Sequence, residues 1–494
     1  MLPTVMWDNA LPLVTDIIHD ARIAAQSLAD YVSGTGLRLG VTGLSRAGKT
    51  VFITALVHNL TQGGKLPVFR VSAEGRLSRA YLRPQPDDAV PRFAYEDHLA
   101  ALTVDRQWPD STRRISELRL TLEFERKGAW RSGPSTFTID IVDYPGEWLL
   151  DLPLLNKSYA RWSRETLEAS ALAARAPLAA AWRGSLQGLD PMAPGSEEVA
   201  RRSAELFTAY LRASRTELYS LSTLPPGRFL MPGDLEGSPA LTFAPLPVDE
   251  GASVPSNSLA AMMERRYEAY KSHVVGPFFR NHFARLDRQI VLVDALSALN
   301  SGPGAVRDLE VALSDLLLAF RAGRSSFLST LFRPRIDKIL FAATKADHLH
   351  HTSHDRLESI LRVLTARAIA RAEGVGASVD VIALAAVRAT REVAVKEGRD
   401  TLDAIVGTPL AGERIDGETF DGLSEAAVFP GELPSDPKLA FRGDALAVAD
   451  GEADYRFVKF RPPQAVRGPD GAALPLPHIR LDRALQFLFG DRLA

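Results

Sequence analysis

The stretch Leu37-Arg38-Leu39-Gly40-Val41-Thr42-Gly43-Leu44-Ser45-Arg46-Ala47-Gly48-Lys49-Thr50-Val51-Phe52-Ile53-Thr54 decides how the rest of the chain is to be read. Its middle, Gly43 to Thr50, fits G-x-x-x-x-G-K-[ST], the phosphate-binding P-loop. Leu37, Leu39 and Val41 alternate with Arg38, Gly40 and Thr42, which predicts a short strand before the loop. Val51, Phe52, Ala55 and Leu56 give the helix after it an apolar face. Turning a strand this sharply into a helix needs unusual backbone angles, which glycine at each end of the loop permits. Backbone N–H groups along Gly43, Ser45, Arg46, Ala47, Gly48 and Val51, with the positive end of the helix, are expected to wrap a phosphate. Lys49 is expected to reach the β- and γ-phosphates and the Thr50 hydroxyl to ligate Mg2+.

Working outward, the totals bound the rest. The chain has 494 residues, 46% of them hydrophobic, and a formal charge of −2, so it reads as soluble and globular, with about three domains as the prior. Near-neutral charge gives no general case for nucleic acid or an anionic membrane. The absence of cysteine excludes disulfides, thiolate metal sites and cysteine nucleophiles, and fits a reducing compartment. Met1 to Val14 lacks the basic start and apolar core of a signal peptide. No stretch reaches the ~18 apolar residues of a membrane span, so a cytosolic chain is expected.

Ala10 to Val32 reads as an amphipathic helix bracing the nucleotide domain, making 1–36 an N-terminal helical segment. Gly63 to Asp110 carries scattered prolines and no clear period. Ile115–Phe124 and Phe137–Asp143 then alternate as a hairpin. Helical periods follow around Ser158–Leu172, Glu197–Leu221 and Ser258–Phe283, and the last two are separated by Pro225 to Pro255, a seven-proline stretch read as an extended or loosely ordered connector. The strand Arg288–Asp294 restores the α/β pattern. The interval from Asp143 to Asp294 far exceeds the few tens of residues that one crossover helix needs. The expected organisation is therefore a nucleotide-binding domain in two segments, 37–153 and 286–397, with a helical domain, 154–285, inserted between them. Helices at Val306–Phe320 and Asp355–Ala372 alternate with strands at Ile336–Ala342 and Val379–Leu384, which predicts an α/β fold with a mostly parallel sheet covered on both faces. Residues 398–494 read as a β-rich extension, including Tyr455–Phe460, closed by a helix at Leu481–Phe489.

Three further motifs end candidate strands, where ligands sit in open α/β sheets. Asp143-Tyr144-Pro145-Gly146 is a D-x-x-G, in which Asp143 holds Mg2+ through water and the Gly146 N–H senses the γ-phosphate. Thr344-Lys345-Ala346-Asp347 is the [NT]-K-x-D guanine motif. The Asp347 carboxylate accepts from the ring N–H and exocyclic amine of guanine, a pairing adenine cannot make, and the Lys345 stem covers the base. Ala385-Ala386-Val387-Arg388 stands where an S-A-K-type loop supports guanine, with backbone contacts expected from Ala386 and Val387. Thr112 is the chosen switch threonine completing the Mg2+ shell, with Ser111 and Thr103 as alternatives.

GLSRAGKTVFITALVHNL, DYPGEWLLDLPLL, TKADHLHH with a later HDRLE, and PHIRLDRALQFLFGDRL together resemble the YcjX-like family of bacterial P-loop GTPases, over nearly the whole chain. The resemblance implies a GTP/GDP-binding domain of Ras-like topology with a helical insertion, in a cytoplasmic, stress-associated protein with an inner-membrane protein as an expected partner. Where Ras-like enzymes place a water-orienting glutamine after D-x-x-G, this chain has Glu147, either a catalytic carboxylate or a helix-start or switch residue. The loop also resembles the G-x-x-R-x-G-K-S of guanylate-binding large GTPases, whose arginine acts as a finger within its own chain. Arg46 stands in that position, and its alternative is solvent or an acid such as Glu147. His348, His350, His351 and His354 stand just past the guanine motif, where the 351/354 spacing suits two metal ligands on a helix and a solvated helix start is the other reading. A basic and apolar cluster from Arg321 to Lys338 is either buried under a basic rim or meets a partner or a membrane. Two functions are expected to compete. One is a Mg2+-dependent GTPase switch of low intrinsic turnover, with nucleotide-dependent dimerisation to be tested. The other is a nucleotide-bound scaffold for a membrane-associated complex, peripheral to the inner membrane. An ATPase is disfavoured by Asp347.

Overall fold

The computed structural model describes residues 36–43, 46–110, 112, 114–127, 133–172, 175–215, 225–318, 336–397, 400–415, 417–441, 447–448, 451–452, 455, 457–469 and 471–494. The expected helix at Ala10–Val32 and most of the basic cluster at 321–338 lie outside them.

Strand β1 (Gly36–Gly43) is buried along its whole length. Its alternation does not divide core from solvent, because both faces of the sheet are packed here, while β4 (Gly133–Asp143) and β5 (Arg288–Val293) pair with its two edges in parallel. Arg38 and Thr42, on the face opposite Leu37, Leu39 and Val41, are buried too. Buried polar groups must be paired. Arg38 forms an ion pair with Glu117, and the Thr42 hydroxyl lies 2.6 Å from that of Tyr144. The expected hairpin is β3 (Ser116–Arg126) with β4, antiparallel. A strand with no signal in the proline-strewn stretch, β2 (Leu77–Arg83), adds to its edge; its half-exposed residues give no apolar period. With β6 (Lys338–Ala343) and β7 (Ser378–Ala383) the sheet order is β2-β3-β4-β1-β5-β6-β7, and β3 alone runs against the rest. This is the expected α/β fold with a mostly parallel sheet, and its order reverses at β1, where ligands of such sheets bind.

One face of the sheet packs against helix α1 (Lys49–Thr61) and, at the far end of the chain, the closing helix Leu481–Phe489. Leu481, Leu485, Leu488 and Phe489 sit in the same cluster as Leu39, Val41 and Phe52, so the closing helix forms part of the nucleotide-domain core. Arg288, fully buried in β5, pairs with Asp337 and with Asp491 just beyond that helix. The opposite face packs against the helices that follow β4 and those at α5 (Pro303–Leu318) and after.

Between β4 and β5 the chain is helical, with α2 (Tyr159–Ser170), α3 (Ala176–Leu186) and α4 (Glu197–Ser214). Its core is aromatic: Trp162 stacks on Tyr267, and Trp182 on Tyr210. The helix at 176–186 carried no expectation. The proline-rich connector is not loosely ordered. It makes three short 3-10 turns, at Gly227–Phe229, Gly233–Leu235 and Pro239–Leu241, and buries Phe229, Phe243 and Leu246 in that aromatic core. Its prolines hide an apolar period that is not helical.

The expected helix at 355–372 is two, α6 (His354–Leu364) and α7 (Ala366–Gly374). The Thr365 hydroxyl between them donates to the Leu361 carbonyl. The residues described between 455 and 460 form no strand; Phe460 makes a single bridge to Pro409. A three-stranded sheet of β8 (Arg391–Glu397), β9 (Asp400–Gly407) and Ala426–Val428 runs across the expected boundary at 397/398, with β8 in the second nucleotide-domain segment and the other two strands in the extension. No helix among the described residues is long and apolar enough to cross a membrane.

Candidate functional site

The loop after β1 opens a cleft of about 300 Å³ at the carboxyl ends of the strands. Arg46, Ala47, Gly48, Lys49, Thr50 and Val51 line one part of it; Thr344, Lys345, Asp347, Ala386 and Val387 line another. Residues nearly three hundred positions apart thus share one wall system. Leu44 and Ser45 lie outside the described residues. The two loop glycines serve different ends. Gly48 takes φ +84°, which side-chain-bearing residues avoid. Gly43 is needed for space, since a Cβ there would meet the Leu292 carbonyl oxygen at 2.8 Å.

At the phosphate end, Lys49 Nζ donates to the Gly43 carbonyl at 3.1 Å, a bond within the loop itself. Thr50 Oγ1 lies 3.4 Å from Thr112 Oγ1, which donates to Asp143 Oδ2 at 2.8 Å. Three residues from three elements therefore converge on one spot. Asp143 is buried, and its second oxygen, Oδ1, has no partner among the described residues. Burial pushes its carboxyl up to about 6, with Lys49 and the Thr112 hydroxyl pulling the other way. An orphaned buried carboxylate oxygen beside two hydroxyls is the donor set of a hard divalent cation, so these residues fit Mg2+.

Glu147 does not line the cleft. It is 3% exposed and pairs with Arg215, beyond the end of α4, across 3.2 Å. Arg215 is also close enough to Arg46 for the two cations to repel. Arg46 is exposed, lines the cleft and takes φ +63°. Gly146 begins a buried 3-10 helix, Gly146–Asn156, that is fastened to the helical segment. Asp151 accepts from the Tyr270 hydroxyl and the Gly227 N–H, both at 2.6 Å, and Trp148 lies under the Arg228 guanidinium.

At the opposite end, Asp347 Oδ2 accepts from the Ala389 N–H at 2.8 Å and the Asp347 carbonyl accepts from the Thr390 hydroxyl, which fixes the carboxylate's orientation. Lys345, at φ +61°, places its ammonium on Asp294 at the end of β5, a residue given no role from sequence although an acid ending a buried strand was its signal. The loop carrying Ala386 and Val387 is held on either side, with Ala385 N–H bonded to Ile479 and Arg388 N–H to Pro477. Sequence reasoning also missed Trp108, His348, Lys459 and Phe460, all of which line the cleft. Trp108 Nε1 donates to the Phe460 carbonyl at 2.6 Å, so the stretch before Thr112 is tied to the C-terminal extension. Nothing in the sequence near Phe460 indicated this position.

The histidines divide. His348 and His354 are buried, and His354 Nε2 bonds the Ala346 carbonyl rather than joining His351 as a ligand pair. His350 and His351 face β8 instead.

A family model described as YcjX-like family, DUF463, matches residues 37–493. Over 470 residues the chain is 41% identical to the Ras-like GTPase YcjX of Escherichia coli (strain K12), covering 92% of this chain and 96% of that protein. Over 498 residues it is 36% identical to the Ras-like GTPase YcjX of Shewanella oneidensis, covering 96% and 98%.

Proposed function

This chain belongs to the YcjX-like family, and from that premise we propose that it binds GTP in the cleft beside β1 and hydrolyses it to GDP and phosphate with Mg2+. The observation that carries the proposal is the convergence of Lys49, Thr50, Thr112 and Asp143 at one end of a cleft whose other end holds Asp347. Lys49 exchanges its bond to the Gly43 carbonyl for the β- and γ-phosphates, and the N–H groups from Ala47 to Val51 hold the phosphate chain. Thr50, Thr112 and Asp143 hold Mg2+, which supplies charge neutralisation on the phosphates. Arg46 reaches the transferring phosphoryl from the exposed rim and offsets the charge that develops there. Asp347 selects guanine over adenine, and Lys345 covers the base with its stem while Asp294 holds its ammonium.

In this reading the 3-10 helix starting at Gly146 carries the nucleotide state outward. It shares Asp151 and Glu147 with the helical segment, so loss of the γ-phosphate changes how that segment meets a partner. A second reading, a nucleotide-bound scaffold at a membrane-associated stress complex with incidental turnover, draws support from the Glu147–Arg215 pair, which holds the only acid of the D-x-x-G-E stretch beyond Asp143 away from the cleft wall.

Multi-turnover phosphate release from GTP separates the readings. With Mg2+ the wild type is expected to turn over steadily, with Lys49→Ala about 100-fold slower, the usual cost of one lost charge-stabilising donor. Tight GTP binding without sustained release favours the scaffold. Failure to bind GTP removes both.

A further inference from the structure

Behind the guanine loop, outside the cleft, the structure brings together a group that the nucleotide chemistry does not use. We propose that His350, His351 and Glu392 form a second metal site, for a borderline ion of the Zn2+ class. It joins the turn after Asp347 to strand β8, which pairs with β9 of the C-terminal extension. One ligand atom from each of the three residues lies within 4.8 Å of the other two. Glu392 Oε2 is 2.7 Å from His351 Nδ1 and 3.7 Å from His350 Nε2. Zinc bonds of about 2.0–2.1 Å in a tetrahedron separate neighbouring ligand atoms by about 3.3 Å, which lies between those two values.

The surroundings of the three ligands support metal binding more than a simple hydrogen-bond pair would require. His350 turns its other nitrogen, Nδ1, to the Thr352 hydroxyl at 3.0 Å, and that hydroxyl donates to Asp403 Oδ2 on β9 at 3.2 Å. An Nδ1–H donated to Thr352 leaves the Nε2 lone pair facing the site, with the carboxylate one hydroxyl further out, an outer partner of the kind that fixes a ligating imidazole. Glu392 is held from its far side, with Oε1 3.3 Å from the Arg388 guanidinium and Oε2 left to the imidazoles. Two imidazoles and one carboxylate, with the fourth position open to water on the exposed His351 side, suit Zn2+ and disfavour Mg2+, which prefers oxygen ligands. The site spans two separate parts of the chain, 350–351 and 392, so bound metal ties strand β8 to the loop bearing Asp347.

The test is calorimetric titration of Zn2+ into the full chain, free of any histidine tag and of nucleotide, with Mg2+ present throughout. One saturable equivalent is expected. His351→Ala and Glu392→Gln are each expected to weaken it by about 100-fold, and Arg388→Ala, which removes the outer partner together with the Arg388 Nε bond to the Thr390 carbonyl, by about 10-fold. Co2+ in place of Zn2+ is expected to give the intense visible bands of a four-coordinate ion in the wild type, a readout independent of how any variant folds. A cobalt spectrum unchanged from the hydrated ion, or zinc affinity indifferent to both His351→Ala and Glu392→Gln in variants of unchanged melting temperature, overturns the proposal.

Discussion

Asp347→Asn is expected to lower affinity for guanine nucleotides by about 1,000-fold while leaving that for adenine nucleotides unchanged. The carboxylate is already oriented by the Ala389 N–H on Oδ2 and sits 4% exposed in the cleft wall. In the asparagine variant the amide oxygen keeps the Ala389 bond, so the loop retains its shape. The amide NH2 then faces the ring N–H and exocyclic amine of guanine, and donor meets donor. Two hydrogen bonds to a charged acceptor, each worth roughly 1.5–3 kcal/mol, are lost together, which gives about three decades. Competition against a fluorescent guanine nucleotide measures the loss. Equal weakening for adenine nucleotides would place the damage in the fold rather than in base recognition.

The second large effect concerns the chemical step. Arg46→Ala is expected to lower kcat for GTP by about 1,000-fold with nucleotide affinity near that of wild type, the signature of a cation felt chiefly in the transition state. Arg46 stands on the rim of the cleft in a left-handed conformation, three residues before Lys49. Arg46→Lys restores the charge without the planar fork and should recover only part of the rate. Single-turnover kinetics of the three proteins decide it, and an unchanged rate in Arg46→Ala would move the burden to Glu147. That carboxylate reaches the cleft only by giving up its pair with Arg215.

The parts of this fold legible from sequence are those where one physical requirement dominates a short stretch. Gly48 needs φ +84°, β5 needs a buried apolar run from Ile290 to Val293, and the closing helix needs its apolar stripe at 481, 485, 488 and 489; each leaves a local pattern. Thr112 was reachable because it precedes the hairpin strand paired with the one ending at Asp143. What escaped is set by contacts distant in sequence. Phe460 and Lys459 join the cleft through Trp108 and through pairing near Pro409, and neither partner can be read from the other. Glu147 reads as a candidate for catalysis because its neighbours are catalytic motifs, yet its pairing is decided by Arg215 on a different helix-bearing segment. The His351/His354 spacing assumed one continuous helix, whereas α6 begins only at His354 and leaves His351 in the preceding turn. The connector from Pro225 to Pro255 misleads for a similar reason. Its aromatic residues are buried against helices that prolines in their own segment give no hint of.

The account depends on one cleft receiving both the metal and the base, and the structure of the full chain bound to Mg2+ and a non-hydrolysable GTP analogue tests this most directly. The account predicts the guanine edge on the Asp347 carboxylate, the terminal phosphates beside Lys49, and the metal held by the Thr50 and Thr112 hydroxyls with Asp143 behind it. A nucleotide bound with its base away from Asp347, or a metal remote from Thr50 and Asp143, would contradict it.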